Sequence, residues 1–100
     1  MSEDFASAVR ADGVFAAVFE RDDETAYFYL LDLTRPDSKQ IVGALNLTGH
    51  LTSSSGVDVR WSRTGEAVGL FADGILLAIY PGLDMPVGRI ATAADQGQFA

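Results

Sequence analysis

Two residues, Asp73 and Gly74, are all that separates an apolar run at 66–72 from another at 75–80. A chain that reverses in two residues needs positive φ at both, which Asp tolerates and Gly prefers, so the pair predicts a tight hairpin. The other connections are nearly as short. Arg63-Thr64-Gly65 returns the run at 57–62 onto 66–72, and Arg21-Asp22-Asp23-Glu24 joins 13–20 to 25–33. Thr34-Arg35-Pro36-Asp37-Ser38 then leads into 40–47 as a turn, because Pro36 fixes its own φ and Asp37 and Ser38 bond back to the main chain. Parallel strands need crossovers of about a dozen residues or more, which these turns cannot supply. The sequence therefore predicts a mainly β fold, an antiparallel meander of about six strands in a curled sheet or sandwich.

Alternation within the runs shows what has to be covered. Val57, Val59 and Trp61 oppose Asp58, Arg60 and Ser62, the pattern of a half-buried strand. Other strands are apolar on both sides. Phe15, Ala17 and Phe19 oppose Val14, Ala16 and Val18; Tyr27, Tyr29, Leu31 and Leu33 oppose Ala26, Phe28 and Leu30; Ile75, Leu77 and Ile79 oppose Leu76, Ala78 and Tyr80. Such strands need cover on both faces. Either the sheet curls into a sandwich or barrel, or a second subunit supplies the cover as a homodimer.

At the amino end, residues 2–10 suit a short helix. Ser2 or Asp4 can cap it, Glu3 and Asp4 suit its positive end, and Phe5 and Val9 stand four apart on one face. At the other end, residues 87–91 add a candidate strand and 95–100 read as a loose end. The whole, 1–100, is expected to be a single domain with its core at about 13–80 and an unassigned tail at 83–100.

Composition narrows the function classes. Fourteen Asp/Glu face seven Lys/Arg, a net charge of −7, and the basic residues are scattered without a run. A phosphate backbone is repelled by such a surface, so nucleic acid is not expected as a partner and a basic protein is. The chain has no Cys, which removes disulfides, thiolate zinc sites and cysteine nucleophiles. Its start, Met1-Ser2-Glu3-Asp4-Phe5, is acidic, unlike a signal peptide, and no run approaches the ~18 apolar residues of a membrane span. The expected location is the cytoplasm, with no membrane partner and no cofactor.

Two groups of residues are candidates for binding. Glu20, Asp22, Asp23 and Glu24 concentrate negative charge at one turn, where they can dock a basic partner or simply face solvent. They lack the alternating ligands and the glycine of a calcium loop, so no metal is expected there. Tyr27, Tyr29, His50 and Trp61 are candidates for a pocket, with the small polar loop at 48–56 as its lid. His50 is the sole histidine. Ser53, Ser54 and Ser55 follow it without a placed acid or oxyanion hole, and no G-x-S-x-G surrounds any Ser, so no catalytic residues are assigned.

The stretch Val59-Arg60-Trp61-Ser62-Arg63-Thr64-Gly65-Glu66-Ala67-Val68-Gly69-Leu70-Phe71 resembles one strand–turn–strand element of a β-propeller blade, a unit that occurs here once. A broader resemblance runs through Val18-Phe19-Glu20, Thr25-Ala26-Tyr27-Phe28-Tyr29, Leu31-Asp32, Val57-Asp58-Val59-Arg60-Trp61-Ser62 and Asp73-Gly74. Over roughly residues 14–80 the chain resembles a family of small bacterial proteins known as domain of unknown function 2251. That resemblance implies a bacterial origin and a compact β-rich fold, and no activity. The function expected from the residues is a non-enzymatic binding or interaction module, such as an acidic inhibitor or immunity-type protein. The alternatives are a small-molecule-binding domain or minor enzyme with a pocket at a sheet or subunit interface, and a structural dimeric domain.

Overall fold

Eight short strands in two antiparallel sheets of four make up the fold of the computed structural model, which describes residues 4–51 and 56–99. The first sheet contains β1 (Asp4–Val9), β2 (Phe15–Arg21), β3 (Ala26–Asp32) and β4 (Ile41–Asn46). The second contains β5 (Val57–Trp61), β6 (Val68–Ala72), β7 (Ile75–Tyr80) and β8 (Arg89–Ile90). Each sheet is a meander in chain order, so the short connections do set the topology, with eight strands rather than about six. Asp73 (φ 51°) and Gly74 (φ 82°) both take the left-handed conformation that their hairpin requires. β1 runs beside β5 without a hydrogen-bonded ladder, so the sheets stack as a sandwich and do not close into a barrel.

Residues 4–9 are strand, which corrects the expected helix at 2–10; residues 2 and 3 lie outside the described range. The spacing of Phe5 and Val9 was ambiguous, because residues four apart share a face in a strand as well as in a helix. Pairing decides between them. A helix of this length stands alone poorly, whereas as a strand Ala6 pairs with Phe19 and Ala8 with Ala17, satisfying the edge of β2.

Both sheets contribute to one core. Ala17, Phe19, Phe28, Leu30 and Leu47 from the first half meet Val59, Val68, Leu70, Ala78 and Tyr80 from the second. Small side chains on the inner side of β1 let Trp61 approach, and its indole Nε1 donates to the Ala8 carbonyl at 3.0 Å. Tyr80 is fully buried and donates its hydroxyl to the Phe28 carbonyl across the sandwich at 2.5 Å. Its ring lies 5.1 Å from that of Phe28. Gly43 and Gly88 press bare backbone against the same ring, since a Cβ at either would come within 2.9 Å of it. Burial pushes the Tyr80 hydroxyl well above the usual phenol range, so it remains a donor at any working pH.

Residues 93–99 are not a loose tail. β8 pairs with β7 inside the strand expected at 87–91, and a 3₁₀ stretch, Ala93–Phe99, follows it. Phe99 meets the ring of Phe71 edge-on at 5.3 Å, on the outer side of the second sheet, in the space left by Gly69. Arg89 fastens this segment with two bonds to the buried Asp95 carboxylate, at 2.8 and 2.9 Å, and the Thr92 amide donates to it at 2.7 Å. Arg89 first, and then that amide, hold the Asp95 carboxyl well below the usual carboxylate range.

Tyr80→Phe is expected to lower stability by about 1–2 kcal/mol, because the Phe28 carbonyl loses a buried donor. Gly43→Ala forces a methyl into the Tyr80 ring and costs about 1–3 kcal/mol. Urea denaturation checks both, through a lowered midpoint at unchanged slope. For Asp95→Asn the sign follows from a depressed carboxylate: its stabilisation is present above the unfolded value and is lost as pH falls through the folded one. The difference in urea midpoint between wild type and Asp95→Asn is therefore largest at neutral pH and narrows below pH ~4.

Candidate functional site

The two outer faces of the sandwich differ in kind. Phe99 and its segment cover part of the second sheet, and the Arg60 guanidinium lies over the Phe71 ring at 4.5 Å. On the first sheet, antiparallel register builds an open face in three rows. Phe5, Glu20, Tyr27 and Asn46 form one, Ser7, Val18, Tyr29 and Ala44 the next, and Val9, Ala16, Leu31 and Ile41 the third. The third row stays in register because a bulge at Val42 turns Ile41 outward while Gly43 still faces the core. Phe5 is 65% exposed, and Val9 and Ile41 are 58% exposed. Val18, Tyr27, Tyr29 and Leu31 are half-buried by their neighbours. Exposed and half-buried apolar side chains thus lie side by side across all four strands of this face.

A shallow groove of about 550 Å³ occupies the first-row end of this face, lined by Phe5, Glu20, Tyr27 and Tyr29 and closed off by Asp4 and Arg21. The Tyr27 and Tyr29 rings stack along the strand, with centroids 5.8 Å apart and planes within 11°. Arg21 is tied to Asp4 by an ion pair, its Nε donating at 2.7 Å. A second hollow of about 330 Å³ extends the groove along Val18, Leu31 and Ile41. Burial first, then the Glu20 carboxylate, raise the Tyr29 hydroxyl above the ordinary phenol value. The face is therefore apolar, with a carboxylate and two phenols as its polar anchors.

The acidic group divides by role. The Asp22 carboxylate accepts the amides of Thr25 (2.7 Å) and Glu24 (2.8 Å), which hold its pKa below the usual value and staple the β2–β3 turn. Asp23 and Glu24 are exposed at the tip, and Glu20 stands apart from them on the open face. The pocket group divides too. Tyr27 and Tyr29 come together, whereas Trp61 points into the interior beside Arg10, whose guanidinium is 5.8 Å from its ring. His50 is exposed in a turn, its amide donating to the Leu47 carbonyl. Of the expected lid, residues 52–55, including Ser53, Ser54 and Ser55, lie outside the described range. Among the described residues no three His, Cys, Asp or Glu side chains gather to hold a metal ion, and no helix is long and apolar enough to cross a membrane.

Sequence reasoning sets Phe5 and Val9 on one face of a helix at 2–10 and does not mark Ile41. The signal is present at 15–31, where the second apolar face is visible, but Phe5 and Val9 share a face in a helix as well as in a strand, and Ile41 depends on the bulge. A family profile described as "uncharacterized protein conserved in bacteria" (DUF2251) matches residues 2–81. No curated protein and no solved structure gives a significant match.

Glu20→Gln is expected to lower the Tyr29 pKa only part of the way toward its ordinary value, because burial is the larger cause. An NMR titration of the tyrosine ring carbons reads this, and an unchanged Tyr29 would remove Glu20 from its surroundings.

Proposed function

Because the chain belongs to this family of uncharacterized bacterial proteins, whose description carries no activity, we propose a function from the chain's own surface: it is a protein-interaction module. Its docking surface is the outer face of the β1–β4 sheet. The observation that carries this reading is the contrast between the two sheets. The chain covers part of one outer face with residues 93–99, although Ile75 and Ile90 of the second sheet stay exposed, and it leaves Phe5, Val9 and Ile41 largely exposed across the other. An apolar centre with a polar rim is the anatomy of a protein interface, and Tyr is among the side chains that carry most binding energy there. The shallow groove suits an apposed surface better than an enclosed metabolite, which buries most of its own area in a deep cavity. Glu20 and the neighbouring acidic turn favour a partner that places positive charge at that end, since complementary potentials guide encounter and select orientation.

A photo-crosslinking amino acid at Phe5 or Ile41, introduced in the native bacterial host, is expected to give discrete crosslinked protein species. The same group at Asp58, exposed on the second sheet, is the control. Equal yields at the three positions, or none, would overturn the docking reading.

A further inference from the structure

We infer that the occupant of the open face is a second copy of this chain, packed face to face about a twofold axis that lies in the interface and crosses the strands. The inference rests on the docking reading above and adds the partner and its orientation. Two identical sheets meeting through one face form an isologous contact, in which each patch must complement itself. The three rows meet that condition. With the axis over the middle row, Val18 and Tyr29 meet their own copies. The row of Phe5, Glu20, Tyr27 and Asn46 then lies over the partner copy's row of Val9, Ala16, Leu31 and Ile41. Glu20, the only charge in the three rows, falls in an end row, where its stem covers apolar surface and its carboxylate reaches the rim.

Charge selects this axis over one parallel to the strands. A parallel axis sets each acidic turn, Asp22-Asp23-Glu24, against its own copy, like charge on like charge. The crossing axis moves that turn to the opposite end of the partner sheet, over the β3–β4 connection. There Lys39 is exposed, Arg35 is paired with Asp32 at 3.4 Å and Arg10 with Asp12 in the adjacent β1–β2 turn, so with Asp37 that end is neutral in sum. The acidic turn exchanges a repulsive neighbour for a neutral end that offers Lys39.

Area sets the strength. Four strands at ~4.8 Å spacing and six residues at ~3.4 Å rise give a plane of about 400 Å² per copy, or roughly 1,000 Å² of accessible surface in all once side-chain relief is included. That is below the usual size of a stable specific interface, so a dimer through this face is expected to be weak and reversible.

Sedimentation equilibrium on the whole chain, from about 1 µM to about 1 mM, tests this. Wild type is expected to show one monomer–dimer equilibrium. Val18→Glu sets two carboxylates against each other at the axis and is expected to leave monomer alone, its fold verified by an unchanged circular dichroism spectrum. Lys39→Glu is expected to weaken the dimer about tenfold, and Glu24→Lys added to it to restore the affinity at the wild-type net charge. Arg63→Glu, exposed in the β5–β6 turn, makes the same change in net charge as Lys39→Glu and is expected to leave the affinity nearly unchanged. Strengthening by Glu24→Lys alone, with Lys39→Glu silent, would overturn the crossing axis. Monomer at every concentration overturns self-association. If Phe5 crosslinks then still lead to another protein, the docking reading stands without this partner, and if they do not, both fail.

Discussion

The sandwich depends on how Tyr80 is seated. Its side chain is the largest of the fully buried ones, and it arrives from the second sheet with a polar end that needs a partner. The Phe28 carbonyl, on the central pair of strands of the first sheet, supplies one. That bond does more than offset desolvation. A hydrophobic contact tolerates sliding, whereas a hydroxyl aimed at one carbonyl fixes the offset of one sheet over the other. The bare backbones at Gly43 and Gly88 let β4 and the approach to β8 close on the same ring, so three segments take their position from one side chain. A methyl at either site would hold the layers apart.

With the sheets so placed, each has one face inward and one outward, and the chain resolves the second problem differently in each half. The second sheet has Phe71 facing out, and residues 93–99 return to cover it. A short 3₁₀ stretch buries little area, so Arg89 and the buried Asp95 hold it in place. The Thr92 amide and hydroxyl also donate to Asp95, so its buried carboxylate is satisfied although Arg89 is half-exposed. The first sheet has no such segment among the described residues, although its outer face is at least as apolar.

Turn chemistry and alternation made most of this legible in the sequence. Asp73-Gly74 specified its hairpin because two positive φ values leave few residue choices, and the runs at 13–33 showed apolar residues on both sides. What stayed hidden depended on partners distant in sequence. Nothing local at 4–9 distinguishes a helix from a strand when the diagnostic pair is four apart, and only the free edge of β2 decides it. Gly43 and Gly88 read as ordinary loop or strand glycines until Tyr80 stands beside them. Trp61 and His50 were grouped with Tyr27 and Tyr29 by residue type. Alternation sends Trp61 inward and the tyrosines outward, a distinction already present in the strand pattern of each but invisible without knowing which side was the core.

The acidic turn shows why an open apolar face can coexist with a well-defined molecule. An uncharged sheet face of this size would stack on any similar face and in several registers, since apolar contact has little directional preference. Placing Glu20 in one end row and Asp22, Asp23 and Glu24 just beyond it makes the two ends of the face unlike. Each way of stacking then differs from the others by charge–charge energies of kcal/mol order when partly desolvated. The amides of Glu24 and Thr25 both donate to Asp22 and so fix where its charge stands. In the proposed contact the apolar rows would supply the attraction, and the charged end would select surface and orientation. On the proposed docking reading, a partner that met the rows but ignored the acidic end would leave carboxylates unpaired, so the charged end would make binding selective.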